Sequence, residues 1–325
     1  MAETLHPSSS LVPTDSDRDT ALRILQSSGH GRRYRALAVV RIALADPRGA
    51  TGAAILLFFS VTALAAPWLA PQDPNAASSF SNDIFLGPSG EHWLGTDENG
   101  RDVLSQLLLG SQASMLVGLA AALVSTVVGT AVGVAAAWFG GAVDRILNML
   151  DDWFLVLPVI PVTVLTASLL GSRASSLPLG QTGVLIGVIG LFGWAGTSRI
   201  VRAEVLSLKS RQFVERSRVL GAGHLRIIRQ QLIPNLLPLI LANAVIYVSL
   251  AILTESTLSY LGLGDPNRFS WGRMLESAQS AGAMTSGAWA YFLPPGVCIA
   301  LVVLGFSLLG NAIEQRNDPR LGVSR

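Results

Sequence analysis

The chain of 325 residues is rich in apolar side chains and poor in charge. Half of the residues are hydrophobic (50%), only 14% are charged, and the mean hydropathy is +0.49. Because soluble domains carry about 25% charged residues, this composition excludes an ordinary soluble protein. The net charge of +2 says little by itself, and the single cysteine, Cys298, excludes an internal disulfide and a cysteine-based metal site. We expect an all-α polytopic membrane protein, since membrane barrels show short alternating segments instead of long apolar runs. We expect it to bind neither metal nor nucleic acid.

Six apolar runs follow one another, and each is about long enough to cross a ~30 Å hydrocarbon core as a helix. They cover residues 52–69, 113–139, 146–170, 179–198, 236–253 and 289–309. Residues 1–48 lack an apolar region with a small-residue cleavage site, so no cleaved signal peptide is predicted. The chain is therefore divided into an N-terminal tail (1–48), a first transmembrane helix (49–71), an external loop (72–112), a five-helix core (113–313) and a C-terminal tail (314–325).

The positive residues are distributed unevenly between the two sides. Of the 23 Lys and Arg, 19 lie on the side of the termini and of residues 199–235, and four lie on the other side. The positive-inside rule then predicts that both termini and residues 199–235 are cytoplasmic. Four arginines just ahead of the first run suit an anionic lipid surface: Arg32, Arg33, Arg35 and Arg41.

Residues 199–235 form a polar segment between the fourth and fifth runs. The segment carries eight basic residues, and it also carries an apolar set that a bare loop would not need: Val214, Leu220, Leu225, Ile227 and Ile228. Gly221 and Gly223 divide it into two short helices, and Pro234 begins the next span. We interpret the segment as a helix–turn–helix with an apolar ridge and a basic rim, which docks a cytoplasmic partner. An ordinary positively charged inside loop is the alternative.

The external loop contains a cluster of turn-forming residues, Gly95, Asp97, Asn99 and Gly100. Asp102 is then placed to cap a short helix over residues 103–109, with an apolar face at the membrane interface. The loop is therefore predicted to be an ordered external cap.

Two stretches resemble ATP-binding-cassette importer permeases. The spacing of Glu215, Gly221 and Pro234 is similar to the EAA loop of that family, with Arg216 and Ser217 in place of two alanines and Gln231 in place of an isoleucine. The external stretch resembles a segment of the peptide and nickel permeases through Gly95, Thr96, Asp97, Gly100, Arg101 and Asp102. Gln106 and Gln112 stand where that branch usually has arginine. Further matches extend the resemblance over about residues 46–321, and it is similar to the C-type permeases of dipeptide and oligopeptide importers.

This resemblance implies a type I importer permease fold with six transmembrane helices in the bacterial cytoplasmic membrane. It also implies a sister permease, two cytoplasmic subunits that bind ATP and Mg²⁺, and an extracytoplasmic solute-binding protein. The residues that would couple to an ATP-binding subunit are Arg211, Val214, Glu215, Ser217, Leu220, Gly221, Ala222, Leu225, Arg226 and Ile228. Candidates for the solute pathway are Asp152, Pro158 and Glu255, and Pro158 and Pro161 should kink the third span.

The same sequence argues against several other functions. The only lysine, Lys209, follows a leucine, so the chain has no P-loop and is not expected to be an enzyme. Residues 87–90 match a serine-protease string, but Ser89 lies in a turn and all four histidines lie outside the spans. An ion-coupled secondary transporter would need ionisable residues at mid-membrane depth, whereas Asp152 and Glu255 lie near span ends. We expect Asp152 to pair with a basic neighbour and Glu255 with external loop residues. A scaffold without transport remains open.

Overall fold

The computed structural model describes residues 46–73, 84–174 and 179–317. Most of the two predicted tails, including Arg32, Arg33, Arg35 and Arg41, lies outside the described residues. Within those ranges the chain is helical, and its β-structure is limited to one isolated bridge between Thr96 and Asp102. The all-α prediction is therefore confirmed.

The described residues form ten α-helices and two short π-helical turns. In chain order the helices are α1 Pro47–Leu69, α2 Val103–Phe139, α3 Gly141–Val156, α4 Val159–Gly171, α5 Gly180–Lys209, α6 Gln212–Val219, α7 His224–Ile227, α8 Ile233–Leu258, α9 Trp271–Ser280 and α10 Trp289–Asn317. The π-helical turns are Ile228–Leu232, between α7 and α8, and Ser259–Leu263, after α8.

Five of the continuous helical segments in the described part of the chain are long and apolar enough to cross a membrane, and α3 with α4 makes a sixth span that is bent by 92°. The bend falls at Leu157 and Pro158, as predicted, because proline removes a backbone donor and clashes with the preceding turn. The predicted second kink at Pro161 is wrong. Pro161 lies in the first turn of α4, where a backbone N–H has no helical partner to lose.

The predicted short helix over residues 103–109 is only the start of a longer one. Asp102 does cap it, since its side chain accepts a hydrogen bond from the backbone N–H of Ser105 at 2.8 Å. The helix, however, runs unbroken for 37 residues to Phe139, so the separate interfacial helix is wrong. The residues that suggested the end of a short helix, Gly110 and Gln112, instead make contacts within the bundle. Gly110 lies against the ring of Trp271, and the Gln112 amide donates to the carbonyl of Ala63 at 2.7 Å.

Helix α2 lies at the centre of the bundle and packs closely along α5. A β-carbon at Gly129 would come within 2.6 Å of the Trp194 carbonyl oxygen, and one at Gly133 within 2.5 Å of the Ser198 carbonyl oxygen. Only glycine permits this backbone approach. We call the end of the bundle that carries α6 and α7 the basic end, and the end that carries residues 84–102 and α9 the cap end.

Candidate functional site

The connection between α6 and α7 is a tight turn that requires glycine. Gly221 has a φ of +77°, a left-handed backbone conformation that favours glycine. Its N–H donates to the Arg218 carbonyl and the Ala222 N–H donates to the Ser217 carbonyl, both at 2.9 Å. This pair of bonds is the Schellman motif, which satisfies the last carbonyls of a helix. The turn therefore fixes how α6 and α7 lie relative to each other.

The predicted apolar ridge divides into a buried part and an exposed part. Val214 and Ile227 are buried in the core at the basic end, so they hold the segment in place and do not face outward. Ala222 and Ile228 are half-buried against the same core. Three large apolar side chains are exposed instead: Val219 (87%), Leu220 (86%) and Leu225 (76%). We call Val219, Leu220 and Leu225 the docking ridge; sequence reasoning missed Val219.

A polar rim surrounds the docking ridge. Arg211, Glu215 and Arg226 are exposed, as are Arg216 and Arg229. Ser217 has a structural role instead, since its hydroxyl donates to the Phe213 carbonyl at 3.1 Å and accepts a hydrogen bond from the side-chain amide of Gln231. Ser217 and Gln231 both depart from the usual family residues. They bond each other, so one departure accommodates the other.

Four side chains anchor this segment to the end of α2. The indole N–H of Trp138 contacts Nδ1 of His224 at 3.2 Å, and the Arg218 guanidinium lies 4.7 Å from the centre of the Trp138 ring. Lys209 donates to the carbonyls of Ala137 and Trp138, at 3.0 and 2.9 Å, where a cation is favourable at a helix C-terminus. Helices α5, α6 and α7 are thus all joined to the last turn of α2.

We expect replacement of Trp138 by phenylalanine to loosen this anchor. The ring is kept, but His224 loses its donor, which costs about 1 kcal/mol and raises local opening about fivefold. Limited trypsin cleavage at the arginines of residues 211–229 in the solubilised protein measures that opening. Trp153→Phe, at an indole that is 68% exposed, is the control. Equal cleavage rates in both variants would show that the indole bond does not hold the segment.

Acidic residues of α3 pair with basic residues of α5. Asp144 accepts two hydrogen bonds from Arg202, each at 2.7 Å, and Asp152 accepts one from Arg199 at 2.5 Å. The second pair is what the sequence predicted for Asp152, whereas no partner was predicted for Asp144. Both ion pairs fasten the first half of the bent span to α5.

The three pathway candidates do not share one surface. Asp152 has a side chain that is 63% exposed, and Pro158 is exposed at the bend. Glu255 is only 1% exposed. It accepts hydrogen bonds from Ser259 at 2.7 Å and Ser256 at 3.4 Å, and the hydroxyls of Ser114 and Ser270 also face it. Glu255 therefore lies inside the packing of α2, α8 and the segment before α9, and not on an open wall.

At the cap end the external motif folds around Asp97. One carboxylate oxygen accepts from the backbone N–H groups of Asn99 and Arg101, both at 2.8 Å, and the other accepts from the Gln106 amide at 2.7 Å. Gly95 and Gly100 have positive φ angles, and a β-carbon at Gly95 would fall 2.0 Å from the Leu86 carbonyl oxygen. The Thr96 hydroxyl accepts from the Leu86 N–H at 2.9 Å. The motif thus builds a hydrogen-bonded cap.

The serine-protease string belongs to this cap. The Ser89 hydroxyl accepts from the backbone N–H of His92 at 3.0 Å, while the His92 ring lies 3.1 Å from the Asp102 carboxylate. The His92 ring is thus bonded to Asp102 and not to the Ser89 hydroxyl, so residues 87–90 form a turn, as expected. Among the described residues, no group of three His, Cys, Asp or Glu side chains could hold a metal ion.

A helical bundle with five apolar spans, a sixth bent span and a helix–turn–helix at one end is the architecture of a polytopic membrane protein. Residues 129–323, more than half of the chain, match the family described as the inner membrane component of binding-protein-dependent transport systems. The chain belongs to this family, and it is a permease subunit of an ATP-binding-cassette importer.

Several relatives are similar over most of their length. The dipeptide transport system permease protein DppC of Bacillus subtilis is 35% identical over 83% of this chain and 81% of its own. The probable D,D-dipeptide transport system permease protein DdpC of Escherichia coli is 30% identical over 89% and 93%. The oligopeptide transport system permease protein OppC of Mycobacterium bovis is 32% identical over 86% and 93%. Membership of this family argues against the two alternatives, an ion-coupled secondary transporter and a scaffold without transport.

Proposed function

We propose that the docking ridge is the site at which a cytoplasmic ATP-binding subunit binds this permease. The observation that carries the proposal is the exposure of Leu220 and Leu225, which lie on either side of a glycine turn that is itself anchored to α2. Such large apolar side chains within a basic rim are typical of protein contacts. The segment cannot relax away from its partner, because Val214 and Ile227 are buried behind it.

The remaining parts of the importer follow from the same proposal. The basic end faces the cytoplasm, because the order of the spans in the sequence assigns 19 of the 23 basic residues to that side. The cap end faces the solute-binding protein, and a sister permease completes the pathway. ATP and Mg²⁺ are bound by the partner subunits, and this chain itself performs no catalysis. ATP-driven closure of those subunits moves α6 and α7, and through them the last turn of α2.

The solute class is a di- or oligopeptide. Support comes from the relatives, which are named as dipeptide and oligopeptide permeases, and from the external motif that resembles the peptide branch. The exposed ion pair of Asp152 and Arg199 would offer charges of both signs to a zwitterionic peptide.

Photo-crosslinking tests the docking site. Leu225→Cys, in a Cys298→Ser background and labelled with a benzophenone maleimide, should crosslink to the ATP-binding subunit in the assembled importer. Leu123→Cys, at an α2 residue that is 65% exposed, is the matched control and should not. A membrane-impermeant thiol reagent added to intact cells should leave Leu225→Cys unlabelled. Labelling from outside, or no crosslink to an ATP-binding subunit, would overturn the proposal.

A further inference from the structure

An open groove lies at the cap end between α1 and α2. Its volume is about 760 Å³. Helix α1 contributes Ser60, Ala63 and Leu64, and α2 contributes one face from Leu109 to Leu119. The loop of Asn267, Arg268 and Phe269 forms its third side. Leu64 is 75% exposed, so the groove is a large apolar surface that the described part of the chain leaves uncovered.

The depth of the groove matches one leaflet of a bilayer. The ten-residue step from Leu109 to Leu119 corresponds to about 15 Å at the helical rise, and half of a hydrocarbon core of ~30 Å is the same length. An acyl chain of about this length can lie along the groove, because Leu109, Leu116 and Leu119 line it with apolar atoms.

One rim of the groove carries a positive charge on a braced loop. The Arg268 guanidinium lies 3.9 Å from the Asp265 carboxylate, which is too long for a hydrogen bond and leaves donors for an anion. Asp265 itself accepts from the Thr182 hydroxyl at 2.8 Å and from the Asn267 N–H at 3.0 Å. Arg273 donates to carbonyl oxygens on both sides of the loop, those of Asp265 and Arg268, each at 3.1 Å. The position of Arg268 is therefore set in advance.

We infer that this groove binds one phospholipid, with an acyl chain between α1 and α2 and the headgroup phosphate at Arg268. Arginine suits a phosphate because its planar donors can bond two oxygens at once. The site stands whichever end of the bundle faces the cytoplasm, since its depth, its apolar walls and its charge all belong to the same leaflet. A bound lipid would fix α1 to α2 on the face where the Gln112 amide bonds the Ala63 carbonyl.

Native mass spectrometry of the assembled importer, extracted from vesicles of phosphatidylglycerol and phosphatidylcholine, tests the site. Arg268→Gln should weaken retention of one phospholipid about tenfold, because a charge-assisted bond is lost. Leu116→Trp should abolish it, because the larger ring would lie across the groove where the acyl chain runs. Arg173→Gln, which removes a cation at the same end but outside the groove, is the control. Both phospholipids should be retained, since both carry the phosphate.

Three outcomes would overturn the inference. Equal lipid retention in Arg268→Gln, Leu116→Trp and the Arg173→Gln control would place the lipid elsewhere. Retention by the isolated permease but not by the assembled importer would show that the sister subunit covers the groove. If Leu116→Trp abolishes lipid retention but Arg268→Gln leaves it unchanged, Arg268 does not bind the headgroup phosphate.

Discussion

Leu225→Glu is expected to reduce solute uptake about tenfold or more while the permease still inserts and assembles its helical bundle. Leu225 is 76% exposed in this chain, so a carboxylate there is hydrated and costs the free permease little. Docking would bury that charge against an apolar surface. An unpaired buried charge costs several kcal/mol, which weakens the contact by more than about 100-fold. Leu220→Glu should act in the same way, because Leu220 lies on the other side of the Gly221 turn.

Uptake of labelled di- and oligopeptides, ATP hydrolysis and copurification of the ATP-binding subunit should be measured on the same preparations. Uptake should fall to about a tenth or less, in step with the loss of copurification. The control is Gln212→Glu, which adds the same charge at the opposite end of α6, where the helix dipole favours it. If Leu225→Glu transports peptides normally, the docking ridge is not the coupling contact.

The sequence predicted the helix–turn–helix around Gly221 because the relevant signals are local. Gly221 ends α6 because its positive φ lets its own N–H bond the Arg218 carbonyl and the Ala222 N–H bond the Ser217 carbonyl, and glycine favours that geometry. The bend at Pro158 has the same origin. The helix start after Asp102 could also be predicted, because a side-chain cap bonds a backbone N–H only three residues further along the chain.

Burial could not be predicted in the same way, because it depends on packing between distant parts of the chain. Val214 within α6 and Leu220 directly after it are both apolar, yet Val214 is fully buried and Leu220 is 86% exposed. The difference comes from α2 and α5, whose Trp138 and Val205 pack beside Val214. The unbroken helix through Gly110 was missed for the same reason, since Trp271 lies 161 residues further along the chain and approaches Gly110 only in the fold.

Glu255→Ala is expected to destabilise the permease more than any surface substitution. The carboxylate is 1% exposed and accepts from Ser259 and Ser256, and Ser114 on α2 and Ser270 before α9 face it. Alanine would leave a void and remove the shared acceptor of these hydroxyls. We estimate a cost of about 3 kcal/mol, which would lower the melting temperature by roughly 5 °C. Thermal unfolding in detergent measures it.

Comparison of two further variants separates this structural role from a role in the solute pathway. Glu255→Gln keeps the volume and an acceptor oxygen, so it should recover most of the stability, with a residual cost of about 1 kcal/mol. Glu314→Ala, at an exposed position of α10, should leave the melting temperature unchanged. Peptide uptake per folded permease should be near normal in Glu255→Gln, because a buried carboxylate does not contact solute. A large loss of uptake in Glu255→Gln at unchanged thermal stability would instead place Glu255 on the pathway, in a conformation that opens the contact between α2, α8 and the segment before α9.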